Sequence, residues 1–129
     1  MNIGVKTMNV HHEREKENLR EHGKGGKDVE KAYIFQAVWF KKPNGASRYR
    51  SYLEAANPIA TKYGAHRMVG LVPREILRGD FHPDYCCVIE WPSIEHYYQF
   101  LKDPHYQSIA PMREEAIEKV VVIDCHRIS

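Results

Sequence analysis

Apolar residues never run long in this chain. No stretch approaches the roughly 18 consecutive apolar residues that a membrane helix needs. The opening residues, Met1-Asn2-Ile3-Gly4-Val5-Lys6, lack the apolar core and small-residue cleavage site of a secretory signal. Cysteine is scarce. There are 3, an odd number, and Cys86 and Cys87 are adjacent, so no disulfide framework is indicated. A reduced, cytoplasmic protein is the natural expectation. Excess charge is also lacking: a formal net charge of +2 is too small to imply nucleic acid as a partner. Nor is there a phosphate loop, a dinucleotide fingerprint, a zinc spacing or a nucleophile elbow, so neither cofactor nor metal is expected.

What is present is one domain's worth of core. Hydrophobic residues make up 43% of the 129 positions, enough for a packed interior. The pattern turns on Tyr85-Cys86-Cys87-Val88-Ile89-Glu90-Trp91-Pro92-Ser93. This run is too short for a helix, and its β-forming residues suit a central strand. Pro92 cannot donate to a ladder and ends it. Ser93 is placed to cap the next helix, with Glu95 in the first turn, where a carboxylate suits the dipole.

Residues 1–31 read as a polar arm, mobile or helical on the surface. The segment from His11 to His22 carries almost no apolar face, and Gly23, Gly25 and Gly26 would end it. His11 and His12 are helix neighbours that point in different directions, which argues against one ion holding both. Residues 32–129 then carry the domain. Tyr33–Phe40 is apolar on both faces, as a covered central strand would be. A helix is expected over Ala46–Lys62, kinked or divided at Pro58 and stopped by Tyr63-Gly64. Ala65–Leu71 follows as a strand, with Pro73 marking an edge or bulge and Glu75–Arg78 continuing towards a turn at Gly79-Asp80. Beyond the organising strand, a helix carries Tyr97, Tyr98, Phe100 and Leu101 and ends before Asp103-Pro104. These two residues open another helical segment as cap and first-turn proline. Val120–His126 is the last strand.

The order is strand, helix, strand, strand, helix, strand. It predicts an α+β, ferredoxin-like βαββαβ antiparallel sheet with helices on one face. The strands are apolar on both sides, so the second face needs a cover. A second copy of the sheet, in a homodimer, is the expected one.

Lys62-Tyr63-Gly64, Glu75-x-Leu77-x-Gly79-Asp80, Val88-Ile89-Glu90-Trp91-Pro92-Ser93 and Asp103-Pro104-x-Tyr106, followed by Arg113, together resemble the domain of unknown function 1330 family of the dimeric α/β-barrel superfamily. The resemblance runs from about Ala32 to His126. It implies a ferredoxin-like subunit and a dimer whose sheets enclose a cavity. The wider superfamily includes cofactor-independent monooxygenases and small-ring isomerases, an analogy of fold alone. Two departures stand out. Family members often carry Arg-Gly-Gly after the strand that follows Tyr-Gly, where this chain has Val69-Gly70-Leu71-Val72. Lys42 stands where an acidic residue is usual.

Several residues read two ways. His66, at the start of a strand, is either a proton-moving group or a structural strand-end histidine. Asp80 and His82 form either an acid–base pair at a pocket mouth or plain turn chemistry. Glu90, a carboxylate in an apolar strand, requires a partner or a cavity, and Arg113 or a tyrosine is the expected partner. Tyr97, Tyr106 and Trp91, with Tyr98, either line a cavity for a flat apolar ligand or form ordinary core. Cys86 and Cys87 point to opposite faces and read as inert thiols.

Three functions fit these residues. The first is a cofactor-free enzyme on a small organic acid or aromatic compound, with His66 or His82 moving a proton, Glu90 or Asp80 orienting it and Arg113 holding a carboxylate. The second is a non-catalytic small-molecule-binding module. The third is a structural homodimer whose cavity is packed shut by Trp39, Trp91 and their neighbours.

Overall fold

The computed structural model describes residues 30–128. The polar arm, with its histidines, lies outside them apart from its last two residues. The elements are β1 (Ala32–Phe40), α1 (Gly45–Lys62), β2 (His66–Leu71), β3 (Tyr85–Trp91), α2 (Ile94–Lys102), α3 (Pro104–Ala116) and β4 (Ile117–Cys125). The strands form one antiparallel sheet in the order β2-β3-β1-β4, with β1 and β3 inside, as their apolar character demands. This is the ferredoxin-like βαββαβ arrangement, its second helical crossover divided into α2 and α3.

Asp103 makes that division. As N-cap of α3 it accepts hydrogen bonds from the backbone N–H of His105 at 2.7 Å and of Tyr106 at 3.0 Å. Its other oxygen accepts from the Tyr63 hydroxyl at 2.6 Å, which ties the end of α1 to the start of α3. Ser93 caps α2 as expected, accepting from the His96 N–H at 3.2 Å. Gly64 closes α1 with a φ of +89°, and a Cβ there would meet Pro92 Cγ at 2.5 Å. The Tyr-Gly stop and the proline that ends β3 are thus packed on each other.

One expectation fails and another is narrowed. Glu75–Arg78 does not extend β2. Leu71 pairs with Cys86, one residue short of the start of β3, so only Tyr85 remains beyond it to bond to. Pro58 does not divide α1, which runs unbroken through it. Pro58 and Glu54, whose carbonyl loses its helical donor there, are both exposed, and water satisfies such a group.

The helices cover one face of the sheet. Ile34, Val38 and Trp91 meet Tyr49, Tyr52, Tyr97, Phe100 and Tyr106 in the core. The other face carries Phe35, Trp39, Val69, Leu71, Val88 and Ile123, with Leu71 55% and Ile123 46% exposed on the single chain. A bulge between Arg67 and Val69 keeps that face apolar. By shifting the alternation of β2, it turns Val69 and Leu71 outward and leaves Arg67 opposite Ile89 on the helix side.

Candidate functional site

A cavity of about 800 Å³ lies between the helices and the sheet. It is therefore on the covered side of the subunit, and the open face does not form it. Period-two alternation along β3 supplies its floor: Tyr85, Cys87, Ile89 and Trp91 line it, while Cys86, Val88 and Glu90 face away. Gln36 of β1 adds a half-buried amide beside Cys87, its cross-strand partner. Tyr49 and Tyr52 enter from α1, Tyr97 and Phe100 from α2, Tyr106 and Arg113 from α3.

The walls are aromatic and mutually braced. Trp91 lies 5.3 Å from Tyr97 and 5.2 Å from Phe100 between ring centroids, and Phe100 lies 4.2 Å from Tyr106. Tyr49 packs 5.5 Å from Tyr52 and 5.9 Å from Tyr85. The Tyr52 and Tyr106 hydroxyls share a hydrogen bond of 2.8 Å in the interior. Gly70 makes room for this side of the cavity, since a Cβ there would meet the Tyr85 hydroxyl at 3.0 Å.

Arg113 is the electrostatic centre. Burial alone would lower its pKa, and the hydroxyls of Tyr52, Tyr106, Tyr97 and Tyr49 outweigh that, so the guanidinium stays charged. Burial pushes Tyr49, Tyr52 and Tyr97 above the ordinary phenol range, although Arg113 pulls each of them down. All three stay neutral and serve as hydrogen-bonding groups around a cation. No ion pair joins Arg113 to a carboxylate of the described residues, whereas Glu90 pairs with Lys31 and Asp80 with His82. A cation held among aromatic rings, with no carboxylate of the described residues paired to it, is suited to an anionic guest. Burial also raises the Cys87 pKa, leaving a protonated thiol with little nucleophilic character.

The proposed ligand-binding residues Arg113, Trp91, Tyr97 and Tyr106 are therefore brought together in one cavity. Of the proposed catalytic residues, only His66 borders it, at the rim, where its register opposite Glu90 turns the side chain towards the open face. Asp80 and His82 do pair, at 3.1 Å, but on the exposed loop between β2 and β3 and away from the cavity lining. Glu90 takes Lys31 as its partner, at 3.2 Å, in place of the expected Arg113 or tyrosine. The reason is register: Glu90 stands opposite Tyr33 and His66 on the open face, with the sheet between it and Arg113. Trp39 is also on that face, 5.4 Å from Phe81 and under the Lys119 ammonium, so it does not fill the cavity.

Tyr49, Tyr52, Tyr85, Gln36 and Arg67 line the cavity without having been singled out as site residues. Gln36 carried a legible signal, the one polar side chain inside an otherwise apolar strand. Among the described residues, no three His, Cys, Asp or Glu side chains converge as a metal would need, and no helix is long and apolar enough to cross a membrane.

Comparison with known proteins follows the same lines. The family model described as Domain of unknown function (DUF1330) matches residues 31–124. No curated protein matches the chain. Among solved structures, the RPA0582 protein of unknown function from Rhodopseudomonas palustris is similar at 19% identity and a TM-score of 0.72, over 87% of this chain and 93% of that one. A dimeric ferredoxin-like protein of unknown function from Jannaschia sp. CCS1 is similar at 10% identity and a TM-score of 0.61, over 75% and 99%. A Bacteroides thetaiotaomicron protein with the provisional name antibiotic biosynthesis monooxygenase is similar at 11% identity and a TM-score of 0.58, over 78% and 91%.

Proposed function

The chain belongs to the family described as Domain of unknown function (DUF1330), and from that premise we propose that it is a homodimeric protein whose cavity binds a small, flat organic acid. One observation carries this reading: Arg113 is a charged guanidinium inside an aromatic cavity, with no carboxylate of the described residues paired to it. A carboxylate of the ligand takes that place in a charge-assisted hydrogen bond, and the tyrosine hydroxyls complete its coordination. The rings of Trp91, Tyr97, Phe100 and Tyr106 supply the apolar surface for the rest of the molecule.

The open face of the sheet supports the dimer. Val69, Leu71 and Ile123 are each more than a third exposed on one subunit. A second copy of the same face is the cover that fits their apolar character. The similar protein from Jannaschia is described as dimeric, which accords with this reading.

A second reading, a cofactor-free acid–base enzyme of the monooxygenase or isomerase kind, has in its favour only His66 at the cavity rim, whose register beside Glu90 directs its side chain to the open face. The separation of Asp80, His82 and Glu90 from the cavity favours binding over this chemistry. The test is a thermal-shift screen of small aromatic and aliphatic acids beside their neutral amides. Acids raise the melting temperature of the wild type by mass action and leave Arg113→Gln unmoved. Equal shifts from acids and amides, or shifts retained in Arg113→Gln, would sink the carboxylate reading. Turnover of a hit that is lost in His66→Ala would move the balance to the enzyme.

A further inference from the structure

Arg113 is not the only cation that lines this cavity. Arg67 lies on β2 opposite Ile89, a floor residue, and itself lines the cavity. The bulge after it turns the following residues outward and leaves the arginine facing the helices. No carboxylate of the described residues pairs with Arg67 either. It stands beside the Tyr85 hydroxyl, and it acts together with Arg113 on the thiol of Cys87, which lies on the floor within reach of both charges. Among the described residues, Lys102 adds a third cation to the lining, against one carboxylate, that of Glu114. The two arginines differ in depth: Arg67 is exposed on an edge strand, whereas Arg113 is mostly enclosed.

We infer that the ligand carries two anionic groups, a dicarboxylate or an acid with a second acidic substituent, one held by Arg113 at the enclosed end and the other by Arg67 at the mouth. This rests on the reading of the cavity as an organic-acid site and names the class of acid. A monoacid would satisfy Arg113 and leave Arg67 to water. A diacid of suitable span neutralises both, and its rigid middle lies across the floor between Cys87 and the tyrosines. Each charge-assisted contact discriminates by about tenfold to a hundredfold when the site is partly desolvated.

The experiment is calorimetric titration with terephthalate, its monomethyl ester and benzoate, repeated with adipate and its monomethyl ester in case a flexible span is needed. The wild type is expected to bind a diacid at least about tenfold tighter than its monoester. In Arg67→Gln that ratio falls to about one, and in Arg113→Gln binding of both is lost. Circular dichroism establishes that each variant is folded, which is expected of Arg67→Gln at an exposed edge-strand position. If diacid and monoester bind equally while Arg113→Gln abolishes both, the second anion site is overturned and the single-acid reading stands. If none of the acids binds, or Arg113→Gln changes nothing, both fall together.

Discussion

The two faces of the sheet are made by the same strands and have opposite characters. On the helix side, β3 presents Tyr85, Cys87, Ile89 and Trp91, and the polar groups of Gln36, Arg67 and Arg113 sit among aromatic rings. On the open side, the intervening residues Cys86 and Val88 join Phe35, Leu71 and Ile123 in a nearly unbroken apolar surface, with Glu90 at its edge tied to Lys31. The lesson concerns where polarity is tolerated. An uncovered face that needs only another face can be uniformly apolar. A covered face that retains a charge and several hydroxyls around an open volume spends stability on something other than packing.

The contrast can be broken most forcefully at Trp91. This side chain is 2% exposed and braces both Tyr97 and Phe100. Trp91→Ala should lower unfolding stability by about 3–5 kcal/mol in chemical denaturation. A loss under about 1 kcal/mol would mean that the cavity wall can collapse, and that the volume is not held open by packing.

The open face should respond in assembly. Ile123→Asp puts a charge where a second copy is expected to sit, so sedimentation should show a shift from dimer to monomer. Binding of an organic acid should survive, because the cavity lies on the other side. A monomeric wild type would remove the dimer from the proposal and leave the apolar face to another partner.

Arg113 sharpens the comparison from the helix side. Arg113→Met fills a similar volume without an unpaired charge, so it should hold stability or raise it by up to about 2 kcal/mol while abolishing acid binding. A strong loss of stability would instead identify the guanidinium as a structural member of the tyrosine cluster.

The smallest effect is expected at the junction that holds α3 in place. The Tyr63 hydroxyl and the backbone N–H groups of Tyr106 and His105 hold the Asp103 carboxyl below its ordinary range. Its folded pKa is thus below the unfolded value of about 3.9, so its contribution is present above that pH and is lost as pH falls through the folded pKa. Melting temperature should fall between about pH 4 and pH 2, and Asp103→Asn should flatten part of that slope. An unchanged slope would exclude Asp103 as a source of acid sensitivity.

Much of the architecture is legible in local patterns. Ser93 and Asp103 announce their helices because a cap needs only a side-chain oxygen and the next few N–H groups. Cys86 and Cys87 can be assigned to opposite faces because strand alternation is a property of the backbone. The site was legible in part. Arg113, Trp91, Tyr97 and Tyr106 stand out by residue type, and the cavity gathers them. His82 and Asp80 also find each other, as neighbours in sequence do, yet nothing local says that their loop lies apart from the cavity.

The element order, the strand and helix boundaries to within a few residues, and the apolar second face follow from the sequence by itself, since each depends on interactions within one turn or one strand. The partners of the charged residues do not. Glu90 and Arg113 fall on opposite sides of the sheet because register with β1 and β2 decides the side that each β3 residue faces, and Arg67 reaches the cavity because a bulge resets the alternation of its strand. Tyr52 and Tyr106 are 54 positions apart and share a hydrogen bond only because α1 packs on α3. These are long-range consequences of packing, and only the tertiary structure could decide them.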